Sequence, residues 1–169
     1  LEKETDPKKR LHLLNQYLEG FKGTIYRQTM FAEFEKEVHA HREQGQSLTT
    51  EYLNGLYEKL VKEYFGDGLV MDPEGQYEWS RIPHFYRPFY VYVYATGYSS
   101  AVAISEKLRL GSQQDKDNYR RFLSVGSSVY PLEALKIGGV DLTSREPIRL
   151  ALEKFKQIVE EAEKIVDKL

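Results

Sequence analysis

One stretch, residues 81–98, concentrates side chains that could do chemistry. It holds five of the thirteen tyrosines and one of the four histidines of the chain. His84 comes first, between Pro83 and Pro88, and all five tyrosines of the stretch follow it. An imidazole can donate or accept a hydrogen bond, and a neutral phenol can hold a carbonyl or stabilise an oxyanion. One interpretation of this pattern is therefore a site that binds carbonyl groups or a developing oxyanion.

A purely structural interpretation fits the same side chains. A loop histidine can bond to a backbone carbonyl and do nothing else. A row of tyrosines can pack as an aromatic stripe in a core, with the hydroxyls satisfied at its edge. The residues alone leave both interpretations open.

The local pattern predicts how this stretch is built. Proline restricts its own φ and the residue before it, so Ile82–Pro88 is predicted to be an extended entry loop. Pro88 suits the first turn of a helix, on which Tyr90, Tyr94 and Tyr98 would share one face. The Val-Tyr-Val-Tyr alternation also fits a strand, but the Ala/Leu-rich continuation favours a helix.

Metal ligands are the next candidates, and they are weak. Glu35/His39 and Glu37/His41 each have i,i+4 spacing, but the two pairs lie on different faces of a highly charged helix. A His-Glu-x-x-His motif does not occur in this sequence. We therefore expect solvated helix faces here and no metal site within the chain.

Composition narrows the class of protein. The chain has 169 residues, 41% hydrophobic residues, a formal net charge of −2 and no cysteine. This balance is typical of a globular protein, and the charge gives no basic surface for nucleic acid. No apolar run is long enough for a membrane span, and no signal peptide opens the chain. We expect a cytoplasmic protein with neither nucleic-acid nor membrane partners.

Apolar spacing predicts an all-α fold with about seven helices. The first helix begins at Asp6-Pro7, and a bend or break is predicted between Gly20 and Gly23. The last helix is predicted to be capped by Thr143 or Ser144.

Three stretches give a family resemblance: residues 17–35 (YLEGFKGTIYRQTMFAEFE), residues 82–97 (IPHFYRPFYVYVYATG) and residues 126–141 (GSSVYPLEALKIGGVD). In this order they resemble the oligoendopeptidase F branch of the thimet-oligopeptidase-like zinc metallopeptidases, family M3. The likeness covers roughly residues 11–160.

The resemblance implies the C-terminal part of a thermolysin-related, zincin-like helical catalytic domain. Residues 1–169 would form a single helical domain, a fragment of that larger domain. In the family, zinc is held by a His-Glu-x-x-His helix and a following helix, which would precede Leu1. The implied cofactor of the full-length enzyme is thus zinc, with none bound by this chain. The isolated chain is expected to be inactive.

The resemblance also assigns roles to residues. His84 would donate to a carbonyl of a short peptide substrate or to the tetrahedral intermediate, and Tyr94 would face the oxyanion. Tyr90, Tyr92 and Tyr86 would contact the substrate. The spacing between the histidine and the tyrosines varies among branches, so Tyr90, Tyr92 and Tyr94 remain alternatives for the zinc-facing position.

Two other functions compete with a peptidase. The chain could be a non-enzymatic helical domain that binds peptides in an aromatic cleft, or a structural bundle in which His84 and the tyrosines are buried. If it is a fragment, exposed apolar surface would also favour a homodimer.

Overall fold

The computed structural model describes residues 3–169, where seven α-helices occur and no strand. The all-α prediction is confirmed, including the number of helices. No helix in this range is both long and apolar enough to cross a bilayer. The helices are α1 (Pro7–Phe21), α2 (Arg27–Glu43), α3 (Thr50–Phe65), α4 (Tyr92–Leu110), α5 (Gln113–Val125), α6 (Pro131–Ile137) and α7 (Glu146–Val166); a π-helical turn (Lys22–Tyr26) and two 3-10 helices (Pro73–Arg81 and Pro83–Tyr86) complete them.

The chain forms two compact units. One unit combines both ends of the chain, up to Lys22 and from Thr96 onward, and the other is Gly23–Ala95. The chain passes between them within the π-helical turn and within α4.

The unit made from the chain ends is built on the pairing of α1 with α7. Phe21 is fully buried. Its ring packs edge-on against Tyr17 and Tyr98 and at a tilt against Phe155, with ring centroids 5.2 to 5.4 Å apart. Ala151 of α7 is equally buried in this core. Burial of aromatic and aliphatic surface is the main force that holds these helices together.

Local sequence signals set several helix ends. Asp6 accepts hydrogen bonds from the backbone of α1 at its start, as predicted. Of the predicted bend or break between Gly20 and Gly23, the break does not occur. The chain stays helical and widens into the π turn, in which Ile25 is buried. A π turn inserts an extra residue without ending the hydrogen-bonded helix, so the glycines are accommodated without a break.

The unit Gly23–Ala95 packs α2 against α3 and the first 3-10 helix against α3. Its core is aromatic and aliphatic, and the indole N–H of Trp79 donates to Asn54 at 2.9 Å. The buried core residues are Met30, Phe31, Phe34, Tyr57, Leu60, Val61 and Val91.

A carboxylate anchors the first 3-10 helix to this core. Glu78 accepts a hydrogen bond of 2.6 Å from the Tyr57 hydroxyl, one of 2.9 Å from Arg81, and one from Arg27. Burial alone would raise the pKa of Glu78, but the hydrogen bond from Tyr57 and the two arginine charges outweigh it and lower the pKa below its ordinary value. The carboxylate form is therefore favoured in the folded state.

This network predicts a specific loss of stability in acid. A lowered carboxyl pKa stabilises the fold above the unfolded-state value, and that contribution disappears as the pH falls through the folded-state value. We expect Tyr57→Phe to cost about 1.5–3 kcal/mol near neutral pH, the usual range for a hydrogen bond to a charged group. Glu78→Gln should flatten the acid dependence below about pH 4.5. Denaturant unfolding across pH measures both effects.

The matched control is Glu74→Gln, which makes the same change at an exposed position of the same 3-10 helix. It should leave the acid dependence unchanged. Equal acid profiles for Glu78→Gln and the unaltered chain would contradict the assignment of this network.

Candidate functional site

His84 lies on a short 3-10 helix rather than in an extended loop. The predicted extended segment Ile82–Pro88 instead contains the helical turn Pro83–Tyr86, closed by a 3.0 Å bond from the Arg87 N–H to the His84 carbonyl. Successive side chains on a 3-10 helix point about a third of a turn apart. Phe85 packs on Phe31 and Phe34, with ring centroids 5.5 and 5.4 Å away. The turn thus anchors Phe85 in the core and directs the neighbouring His84 elsewhere.

The tyrosine-bearing helix begins later than predicted. Pro88 does not start it, because Phe89 adopts a left-handed φ of 58° that cannot continue a right-handed helix. Helix α4 begins at Tyr92, so Tyr90 precedes it. The predicted common helix face of Tyr90, Tyr94 and Tyr98 is therefore wrong.

His84, Tyr90 and Tyr94 nevertheless come together, and they do so by tertiary folding. The Nε2 atom of His84 lies 3.0 Å from the Tyr94 hydroxyl oxygen, within hydrogen-bonding distance. The Tyr90 ring is parallel to the imidazole at a centroid distance of 5.9 Å. Tyr90 and Tyr94 meet edge to face at 5.6 Å. We call these three residues the His–Tyr cluster.

The His–Tyr cluster is accessible. His84 and Tyr94 are half-buried, and Tyr90 is 39% exposed. The side chains are therefore ordered by mutual contact without being sealed in a core. An accessible imidazole and two phenols can donate hydrogen bonds to a ligand placed beside them.

Hydrogen bonding favours the protonated form of one phenol, Tyr94. The bond between the Tyr94 and Tyr90 side chains raises the pKa of Tyr94 above its ordinary value, with partial burial adding to the effect. A phenol is already neutral at pH 7, and this upward shift in pKa favours the protonated Tyr94 hydroxyl further. It can act as a neutral donor to an oxygen that gains negative charge.

The other predicted residues lie at the surface. Tyr86 is 79% exposed and Tyr92 is 52% exposed. The guanidinium of Arg87 lies 5.9 Å from the Tyr90 ring centroid, a cation–π contact that brings positive charge to the edge of the cluster. Tyr98 packs on Phe21 in the other unit.

Glu35 is the residue that sequence reasoning misplaced. It is only 5% exposed, so the expected solvated face is wrong at this position. Its Oε1 atom accepts a 2.7 Å hydrogen bond from the Phe89 N–H, and the His39 ring packs on the Phe89 ring at 4.7 Å. The contact spans 54 residues, so no local pattern could have revealed it.

A metal site does not fit these residues. Within residues 3–169, no group of three histidine, aspartate or glutamate side chains is close enough to hold an ion. Glu35 is bonded to backbone and His39 is stacked on a ring, so the best-spaced pair is already engaged. Zinc implied by the resemblance therefore finds no donor set in the described part of this chain.

The described chain is thus all-helical and carries one accessible histidine–tyrosine cluster. The model of the family described as Peptidase family M3 matches residues 1–154. The chain belongs to this family.

Individual relatives place it within one branch. Oligopeptidase PepF of Bacillus subtilis (strain 168) is 51% identical over 164 residues, which cover 97% of this chain and 24% of that protein. Oligoendopeptidase F (plasmid) of Lactococcus lactis subsp. cremoris is 45% identical over 168 residues, covering 99% of this chain and 28% of that protein. The chain thus spans about a quarter of the length of these relatives.

A solved structure of an oligoendopeptidase F also resembles this chain. The crystal structure of oligoendopeptidase-F from Enterococcus faecium aligns with a TM-score of 0.96 at 45% identity, covering 99% of this chain and 32% of that one. The predicted resemblance to oligoendopeptidase F and the predicted fold are confirmed.

Proposed function

We propose that this chain is part of a zinc-dependent oligoendopeptidase that hydrolyses short peptides, and that it supplies residues that hold the substrate. The relatives named oligoendopeptidase F support the reaction class. The observation that carries the proposal is the 3.0 Å contact between His84 Nε2 and the Tyr94 hydroxyl in an accessible cluster.

Each residue of the cluster has a distinct role in this proposal. Tyr94 donates its phenolic proton in a hydrogen bond to the carbonyl oxygen as that oxygen becomes an oxyanion. The Nε2–H of His84 donates one hydrogen bond, either to the Tyr94 hydroxyl oxygen in the free cluster, where it orients that hydroxyl, or to a substrate carbonyl placed beside it. Tyr90 supports both rings, and Tyr92 and Tyr86 contact the peptide from their exposed positions.

Several features of the whole enzyme belong to the same proposal. Zinc is bound by residues outside this chain, which forms a C-terminal part of the catalytic domain in a cytoplasmic enzyme. The isolated chain would lack hydrolytic activity. Exposed apolar side chains, among them Val70 at 90% and Leu110 at 71%, would let copies of the isolated chain associate as homodimers.

A comparison of two proteins tests this function. A full-length protein that contains these residues should cleave an internally quenched short peptide, lose that activity to a zinc chelator, and regain it when zinc is restored. The 169-residue chain alone should not cleave the peptide. Peptide binding without cleavage by the full-length protein, with or without zinc, would instead favour the non-enzymatic peptide-binding domain.

A further inference from the structure

A buried carboxylate holds the backbone that joins the members of the His–Tyr cluster. Glu35 lies on α2 and is 5% exposed, and its Oε1 atom accepts the 2.7 Å hydrogen bond from the Phe89 N–H. Taking a polar side chain out of water is costly unless it is hydrogen-bonded, so losing this bond would leave both a buried acceptor and the Phe89 N–H without their partner. The contact is therefore a strong fixed point in the fold.

The bonded residue is the one whose backbone departs from ordinary geometry. Phe89 has a φ of 58°, a conformation that bulky side chains rarely adopt. Such a conformation persists only where surrounding contacts hold it. Two contacts from α2 do so: the Glu35 hydrogen bond to its N–H and the His39 ring against its side chain.

The position of Phe89 along the chain gives this contact a consequence for the cluster. Phe89 follows the 3-10 helix that carries His84 and immediately precedes Tyr90. Two residues later Val91 is fully buried in the core, and α4, which carries Tyr94, starts at the next residue. The backbone conformation at Phe89 therefore determines the position of the 3-10 helix that carries His84 relative to the start of α4.

We propose that Glu35 is a positioning residue that, through its hydrogen bond to Phe89, holds His84 and Tyr90 in register with Tyr94. This role rests on the proposed peptidase function. Glu35 acts through the backbone and does not touch the substrate. What the position requires is an acceptor oxygen, so a glutamine that keeps that oxygen should replace it and a leucine should not.

The test uses the full-length peptidase with three substitutions on α2. Glu35→Leu removes the acceptor, Glu35→Gln keeps it, and Glu37→Leu makes the same change at a partly buried neighbour, whose side chain is 43% exposed, as a control. Misplacement of catalytic groups by about 1 Å can cost about a hundredfold in rate. We expect Glu35→Leu to lower kcat by about ten- to a hundredfold with little change in KM, and the other two variants to stay near the unaltered enzyme.

Two further readouts separate positioning from general destabilisation. Amide hydrogen exchange at Phe89 should be slow in the unaltered enzyme and in Glu35→Gln, and faster in Glu35→Leu, while amides in the core of α3 stay protected. In a Tyr94→Phe background, Glu35→Leu should lower kcat much less, because the pair that it positions is already broken.

The possible failures are distinguishable. Normal turnover in Glu35→Leu, in an enzyme that Tyr94→Phe impairs, would overturn the positioning role and leave the proposed function intact. An equal loss in both backgrounds would likewise overturn it. A full-length protein without any peptidase activity would overturn the proposed function, and the positioning role with it.

Discussion

Replacing Tyr94 by phenylalanine should lower the turnover of the full-length peptidase by about 10²–10³-fold, equivalent to about 2.7–4 kcal/mol in the barrier, the usual effect of losing one oxyanion donor. The ring and its edge-to-face contact with Tyr90 are kept, so the fold should not change. KM should change little, because the hydroxyl interacts most strongly with charge that exists only in the transition state. Steady-state kinetics with an internally quenched peptide measures kcat and KM separately.

The matched control for this substitution is Tyr77→Phe. Tyr77 lies on the first 3-10 helix and is 47% exposed. Its substitution removes one hydroxyl from the same unit. Its turnover should equal that of the unaltered enzyme. A Tyr94→Phe enzyme with normal kcat would place the oxyanion donor elsewhere, with Tyr90 and Tyr92 as the next residues to test.

Replacing His84 by alanine should have a comparable effect, and the two substitutions should not be additive. The imidazole Nε2 lies 3.0 Å from the Tyr94 hydroxyl, so loss of the imidazole also leaves that hydroxyl free to rotate away from the substrate. We expect kcat to fall by about 10²-fold or more for His84→Ala. The double variant should lose less than the sum of the two losses, with a coupling energy of about 0.5–3 kcal/mol.

The control for the histidine is His12→Ala, which removes an exposed imidazole from α1. It should leave kcat unchanged. Strict additivity of the His84 and Tyr94 losses would show that the two side chains act independently, and would contradict the hydrogen-bonded pair as the working unit of the cluster.

Sequence reasoning was most successful where the signal is local. The helix start at Asp6-Pro7 was predicted correctly, because Asp6 caps the first backbone N–H groups of α1 through its own side chain. Apolar periodicity likewise predicted the all-α class, because the buried face of a helix repeats every three to four residues. Within residues 3–169 these signals gave the correct class and number of helices.

Sequence reasoning failed where distant residues decide the backbone. The start of α4 was misplaced at Pro88 because proline is compatible with a first helical turn, and nothing local shows that Phe89 takes a left-handed φ. That conformation is held from α2, by Glu35 and His39. From the sequence, the same two residues were predicted to lie on a solvated helix face. Their i,i+4 spacing does not reveal which face of the helix another segment covers.

The sequence by itself determined the all-α class, the start of the first helix, the family resemblance, and the stretch that carries the histidine and tyrosines, because capping, periodicity and ordered motifs depend on residues within short windows. Only the tertiary structure decided which tyrosines join His84. Tyr90 and Tyr94 meet it because a 3-10 turn, a left-handed residue and a bond across 54 residues fold the segment back on itself. Those contacts depend on burial and on the closure of long loops, which residue spacing does not encode.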